Sequence, residues 1–205
     1  MKTLFLIFFS FTLPGCMVGY LVESSYHQQK ILRSRIPINE YLQRLDLNPE
    51  IEKKLKLVQE AKDFAEKNLG LKKSDNYNSY VPLNRPYVTW IVRASENYKL
   101  DSYQWWFPLV GHVPYKGFFS EKGALDEAKK FDSSYDTFVR GVTAYSTLGW
   151  FDDPILSPMM RYEDHDLVEL IIHETVHATI FIKNQVDFNE QLATFIAQEG
   201  TKLFI

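Results

Sequence analysis

Two histidines and a glutamate lie within the apolar segment IIHETVHATIFI, residues 171–182. His173, Glu174 and His177 form an H-E-x-x-H pentapeptide, in which residues four apart share one face of a helix. Both imidazoles can therefore reach one metal ion, most often zinc, which keeps a coordination position for water. Glu174 then accepts a proton as that water attacks a carbonyl group. The pentapeptide predicts a catalytic site with one Zn²⁺ ion.

The alternative is a core helix whose two histidines hydrogen-bond to the backbone. That interpretation must also explain Glu174, because a buried glutamate without a partner costs several kcal/mol or becomes protonated. A metal site explains all three side chains together, and we favour it.

A catalytic zinc site needs a third protein ligand, and Glu190 is the best candidate. It lies in a second helical segment, where an antiparallel helix pair would return it to the histidines. Ala193 and Ala197 share its side of that helix and would let the two helices approach closely. The competing interpretation is a capping box of Asp187 and Glu190, in which the glutamate bonds to the backbone instead. Spacing alone leaves both interpretations open.

Four other side chains are weaker candidates for the third ligand. His165 is too close to the start of the same helix, and Glu199 lies more than two turns beyond Glu190. His27 and His112 belong to elements that the sequence cannot place relative to the pentapeptide.

The elements that position these residues belong to a chain of ordinary globular composition. Its 205 residues are 45% hydrophobic and 24% charged, which suits one domain or one domain with a smaller appendage. A net charge of −3 gives no basis for nucleic-acid binding. We therefore predict no nucleic-acid partner, and the composition indicates no particular oligomeric state.

The N-terminus has the pattern of a signal peptide over residues 1–15. The apolar run Leu4–Leu13 is too short to span a bilayer, since spanning needs roughly 20 apolar residues. Leu13-Pro14-Gly15-Cys16 resembles the lipobox of bacterial lipoproteins, which implies a lipid anchor on Cys16, the only cysteine. By resemblance to the sorting preference of such lipoproteins, Met17 in the following position, in place of aspartate, implies the outer membrane, facing the periplasm. The alternative is a plain secretory signal, and incorporation of labelled palmitate would distinguish the two.

Helical spacing of apolar residues predicts two or three helices between Tyr26 and Leu69, with breaks at Pro37 and Pro49. Residues 70–86 carry Asn, Ser, Tyr and two prolines and predict a loop. We expect residues 16–86 to form an N-terminal helical region that covers the core.

From residue 87 onward, segments rich in aromatic and β-branched residues predict a small antiparallel sheet. These segments are 87–93, 104–110, 113–119 and 137–148. A helix is expected over Glu121–Phe131. Residues 87–205 are thus predicted to form the catalytic region of an α+β fold.

The pentapeptide helix is expected to begin with a capping box of Asp166 and Glu169. It should continue to Lys183-Asn184 and be largely buried, because it is apolar on nearly all sides. A second helix is expected from Phe188 to Glu199.

The H-E-x-x-H followed by Asn189-Glu190 on a second helix resembles the gluzincin metallopeptidases. More specifically, the chain resembles a family of bacterial lipoproteins described as predicted aminopeptidases, over nearly its whole length. The similar segments are LPGCMVGYLVESSYHQQKILRSRIPI, KDFAEKNLGL, WWFPLVGHVPYKGFF, GVTAYSTLGWFDDPILS, LIIHETVHATIFI and DFNEQLATFIAQEG. The resemblance implies a zincin-like fold and peptide substrates. It also implies His173, His177 and Glu190 as zinc ligands and Glu174 as general base.

The same resemblance gives Thr143–Phe151 an expected role, because gluzincins have an edge strand ahead of the metal helix that pairs with extended substrate. Tyr145 is then a candidate donor to the developing oxyanion. The alternative is an aromatic side chain packed in the sheet. Asp152 and Asp153 are expected to form a turn after the strand.

Two departures from the family pattern define the competing hypothesis. Thr194 stands where many gluzincins have an aspartate that supports a zinc-bound histidine. Family members also continue beyond the position of Ile205. The leading hypothesis is a zinc-dependent peptidase anchored by lipid. The name of the family that it resembles implies an aminopeptidase, whereas the residues themselves leave an endopeptidase or a dipeptidase equally open. The alternative is a non-catalytic or shortened envelope lipoprotein that keeps the zincin fold as a binding or structural module.

Overall fold

Short strands and longer helices alternate along the chain in a computed structural model that describes residues 15–107, 111–144, 152–183 and 185–205. Within those ranges the helices are α1 (Gly15–Arg33), α2 (Ile38–Tyr41), α3 (Pro49–Lys67), α4 (Glu121–Ala128), α5 (Asp164–Thr179) and α6 (Val186–Phe204). The strands are β1 (Ile36–Pro37), β2 (Ser79–Val81), β3 (Thr89–Glu96), β4 (Trp105–Phe107), β5 (Gly111–Val113), β6 (Lys116–Phe118), β7 (Tyr135–Val142) and β8 (Ile155–Leu156). This mixture of helices and small sheets confirms the predicted α+β class.

The main hydrophobic core lies where α3, α5 and α6 pack together. Leu55 on α3 is fully buried and shares this core with Ile171 and Ile172 on α5. Asn48 starts α3 by accepting a hydrogen bond from the backbone nitrogen of Glu50 at 2.8 Å. The helices expected before Leu69 are therefore present, and α3 supports α5 from behind.

Helices α5 and α6 pack closely because small residues line their contact. Ala193 and Ala197 are fully buried on α6. A Cβ atom added to Gly200 would lie 2.8 Å from Cδ1 of Leu69 and 3.3 Å from Cδ1 of Ile172. Since Gly200 lies near Ile172 and the start of α6 lies near the end of α5, the two helices run antiparallel.

The substitution Ala193→Leu is expected to lower the free energy of unfolding by about 1–3 kcal/mol, because overpacking a filled contact forces strain on its neighbours. Chemical denaturation of the variant and the wild-type chain measures this difference. Gln198→Leu is the matched control, since it adds the same side chain to an exposed position of α6. A loss no larger in Ala193→Leu than in this control would contradict the close packing of the two helices.

The turn between α5 and α6 is held by one buried amide side chain. Asn189 is 2% exposed, and its Oδ1 accepts a hydrogen bond from the backbone nitrogen of Ile182 at 2.9 Å. Its Nδ2 donates to the carbonyl oxygen of the same residue at 2.8 Å. These two bonds fix the start of α6 against the end of α5, next to Glu190.

Among the described residues, strands β3 to β7 form two small antiparallel sheets rather than the single sheet that was expected. In the first, β3 lies between β6 and β7, with Thr89 opposite Val142 and Glu96 opposite Tyr135. In the second, β4 pairs with β5. A third sheet joins β1, β2 and β8 and includes a parallel pair, β2 with β8. The sequence pattern did not predict this sheet, because its strands are only two or three residues long.

The boundaries of the two site helices differ from the expected ones. The prediction that Asp166 and Glu169 form a capping box at the start of the helix is wrong. Helix α5 begins at Asp164, and its N-cap, Glu163, makes no side-chain capping bond. The carboxylate of Asp164 is instead 2.7 Å from Lys53 Nζ on α3. Helix α5 ends at Thr179, short of Lys183-Asn184, and α6 begins two residues earlier than expected.

The predicted signal peptide lies almost entirely outside the described residues, and the backbone of Cys16 belongs to the first turn of α1. Among the helices that the structure describes, none is both long and apolar enough to cross a membrane. Lipid attachment at Cys16 therefore stays a prediction.

Candidate metal centre

Helix α5 presents two histidines on its partly exposed side. The Nε2 atoms of His173 and His177 lie 3.0 Å apart, and their side chains are 21% and 16% exposed. Thr175 and Val176, which lie between them in sequence, point into the core. The i and i+4 positions therefore aim both imidazoles at one point in space.

Helix α6 brings a carboxylate to the same point. The Glu190 oxygens lie 3.4 Å from Nε2 of His173 and 3.3 Å from Nε2 of His177. The capping box of Asp187 and Glu190 is not formed, because α6 starts before Asp187 and its N-cap, Gln185, makes no side-chain bond. Of the two interpretations that the sequence left open, the structure therefore favours the one that places Glu190 beside the histidines.

The spacing of these three side chains fits a zinc ion. One ligand atom from each of His173, His177 and Glu190 lies within 4.8 Å of the others. A tetrahedral ion with ligand bonds of 2.0–2.1 Å separates its ligand atoms by about 3.3 Å. The separations of 3.0, 3.3 and 3.4 Å are close to that value. Two imidazoles and one carboxylate are also a ligand set that catalytic zinc sites use.

The electrostatics of the site favour an unprotonated imidazole at His173. Burial lowers the pKa of His173, and the nearby His177 lowers it further, while the charge of Glu190 acts in the opposite direction. An imidazole that is neutral at physiological pH keeps a free nitrogen lone pair for a metal ion.

Among the described residues, one polar atom of His177 lacks a hydrogen-bond partner. Its Nδ1 is buried and has no hydrogen-bond partner in the part of the chain that the structure describes. When Nε2 binds a metal ion, Nδ1 carries the ring proton, and histidine ligands in metal sites donate that proton to an acceptor. Thr194 occupies the position where the family resemblance expected such an acceptor, so the described residues do not supply it.

A cavity of about 370 Å³ opens beside His173 and Glu174. Glu174 is half-buried in its wall. The other lining residues are Tyr162, Asp166, Glu169 and Leu170. The sequence pattern did not assign these residues to the site, although Glu169 and Leu170 precede the pentapeptide by four and three residues and therefore share its face of the helix. The hydroxyl of Tyr162 lies 2.6 Å from that of Thr143, just after β7.

Tyr77 is a second residue near Glu174 that the sequence did not indicate. It is 5% exposed, and its backbone has a positive φ of 61° in the loop between α3 and β2. Burial raises the pKa of Tyr77 well above its ordinary value, and the negative charges of Glu174 and Asp153 raise it further. The phenol of Tyr77 is therefore neutral at physiological pH.

Tyr145 lies outside the described residues, as do residues 146–151, so its role at an oxyanion stays a prediction. Strand β7 ends at Val142, and Thr143 and Ala144 do not extend it. Asp153 is buried, and its carbonyl oxygen accepts a hydrogen bond from Tyr77 N at 2.7 Å.

The weaker candidates for the third ligand lie away from the three clustered side chains. His27 stacks on Phe119 with ring centroids 5.1 Å apart, and Glu199 pairs with Lys202 on the exposed side of α6. His112 lies on β5, where it is exposed. His165 faces Asp166 and Glu169 rather than the pentapeptide.

Comparison with known protein families gave a match over most of the chain. A family model described as "Putative aminopeptidase" matches residues 19–205, which include every residue of the candidate site. No curated protein and no solved structure matches the chain.

Proposed function

Because this chain belongs to the family described as "Putative aminopeptidase", we propose that it is a gluzincin-type peptidase that uses one zinc ion to hydrolyse peptide bonds. His173, His177 and Glu190 would hold the ion, and Glu174 would act as general base. The observation that carries this proposal is the convergence of three ligand atoms within 4.8 Å, supplied by two helices. The family membership supports hydrolysis of peptide bonds, since the description of the family names a peptidase.

Zinc in such a site supplies Lewis acidity, which polarises a carbonyl group and acidifies water. Glu174 takes a proton from the water molecule that attacks the scissile carbonyl carbon, as the new C–O bond forms. It then delivers that proton to the nitrogen of the leaving amine as the C–N bond breaks. A half-buried carboxylate in the cavity wall beside His173 is suited to both transfers.

The decisive test is the metal content and peptidase activity of the purified full chain. We expect one zinc ion per chain by inductively coupled plasma mass spectrometry, and hydrolysis of unstructured peptides that stops on chelation. Stoichiometric zinc should restore the activity, and circular dichroism should show that the chelated protein remains folded.

Two results would contradict the proposal in different ways. Hydrolysis that survives complete removal of zinc would rule out a zinc-dependent reaction. Bound zinc without turnover of any peptide would favour the alternative, a zincin-like module that binds or supports another molecule.

A further inference from the structure

We propose that Glu169 binds the free α-amino group of the substrate, and that the cavity beside Glu174 receives the amino-terminal residue of a peptide. This inference rests on the proposed peptidase function and specifies which peptides the site accepts. It gives the chain a structural basis for amino-terminal specificity.

The position of Glu169 along α5 suits this role. It precedes His173 by four residues, so the two side chains are neighbours on one helix face, with Cβ atoms about 5–6 Å apart. In a peptide, the α-amino nitrogen is only about 2.5 Å from the carbonyl carbon of its own residue. A carbonyl held at the candidate metal centre therefore brings the ammonium group of a first residue within reach of Glu169.

The cavity has a shape and charge that match such an end group. Its volume of about 370 Å³ is at the small end for ligand sites, which suits one or two residues better than an extended chain. Asp166, Glu169 and Glu174 give it three carboxylates, which favour a cation. Leu170 and the ring of Tyr162 provide an apolar wall for the first side chain.

Among the described residues, no lysine or arginine forms an ion pair with the carboxylate of Glu169. Its side chain is 29% exposed, and within the described part of the chain its ion-pair partner is His165, at 3.9 Å, which carries a charge only when protonated. Asp164 on the same helix is different, since it pairs with Lys53 at 2.7 Å and Lys54 at 2.6 Å. Asp164 therefore joins α5 to α3, whereas Glu169 lines the cavity and pairs with no lysine or arginine of the described residues.

A matched pair of peptides tests this inference. Both have one sequence with an apolar first residue, and one carries an acetylated amino terminus. We expect the zinc-loaded wild-type chain to release the first residue of the free peptide at least tenfold more efficiently than it cleaves the acetylated one. In Glu169→Gln, kcat/KM for the free peptide should fall roughly 10- to 100-fold, as expected for a lost hydrogen bond to a charged group. Most of that loss should appear in KM, and the rate on the acetylated peptide should not change.

The control variant is Glu163→Gln, which removes one negative charge from the exposed start of the same helix, outside the cavity. It should leave both rates unchanged, and both variants should retain the wild-type zinc content. Equal cleavage of the two peptides by the wild-type chain would overturn the role of Glu169 while leaving the peptidase function intact. An equal loss on both peptides in Glu169→Gln would indicate a purely structural role. Cleavage of neither peptide by the wild-type chain would defeat the proposed function and this inference with it.

Discussion

Replacing Glu174 with glutamine is expected to lower kcat for peptide hydrolysis by about 10²- to 10⁴-fold, the usual contribution of a general acid–base group. Glutamine has nearly the same shape, so it fills the cavity wall and leaves the α5 packing intact. It cannot accept a proton from attacking water at neutral pH. Because the proposed zinc ion would still polarise the carbonyl group, we expect a residual rate above that of the uncatalysed reaction.

The measurement compares steady-state kinetics and zinc content of the variant and wild-type chain. Zinc content should be equal, since Glu174 is not among the three side chains that cluster at the candidate metal centre. Glu199→Gln is the control, because it makes the same chemical change at an exposed residue of α6 that pairs with Lys202. Equal activity in Glu174→Gln and wild type would show that Glu174 is not the proton acceptor.

Truncating Glu190 to alanine is expected to weaken zinc binding by roughly 10²- to 10³-fold. Zinc sites with four ligands bind with about 10–16 kcal/mol, or about 2.5–4 kcal/mol for each ligand. Competition with a chromophoric chelator measures the dissociation constant directly. Peptidase activity should be lost at limiting zinc and partly recovered when zinc is in excess.

The fold should tolerate this truncation, because the Glu190 side chain is 58% exposed. Gln191→Ala is the matched control, since Gln191 is the next residue along α6 and is also exposed. It should bind zinc as the wild-type chain does. An unchanged affinity in Glu190→Ala would exclude Glu190 as the third ligand.

The sequence predicted the histidines of the site better than it predicted their carboxylate partner. The H-E-x-x-H spacing depends only on helical periodicity, so it places His173 and His177 together without any knowledge of the fold. The position of Glu190 depends on where α6 begins, and a capping box was an equally good local solution. The two hydrogen bonds between Asn189 and Ile182 fix where α6 begins. They join residues seven positions apart across a turn, so no local pattern specifies them.

The sheets were least predictable, because their strands pair over long distances in sequence. Tyr80 on β2 lies opposite Ile155 on β8 in a parallel pair of two residues each, too short for a period-two pattern. The cavity was missed for a related reason. Its wall combines Tyr162 with residues of α5, and Tyr162 reaches Thr143 through a contact that no local motif specifies.

The two hydrogen bonds of Asn189 also affect how zinc and folding are linked. Because both bonds are made within the chain and order the α5–α6 turn, they would hold Glu190 next to His177 without needing a metal ion. The entropic cost of bringing the two helices together is part of the free energy of folding. Zinc binding would then require little further ordering of the chain. Zinc would therefore act as a thermal stabiliser of an already formed protein, raising the melting temperature with concentration by mass action rather than serving as a trigger for folding.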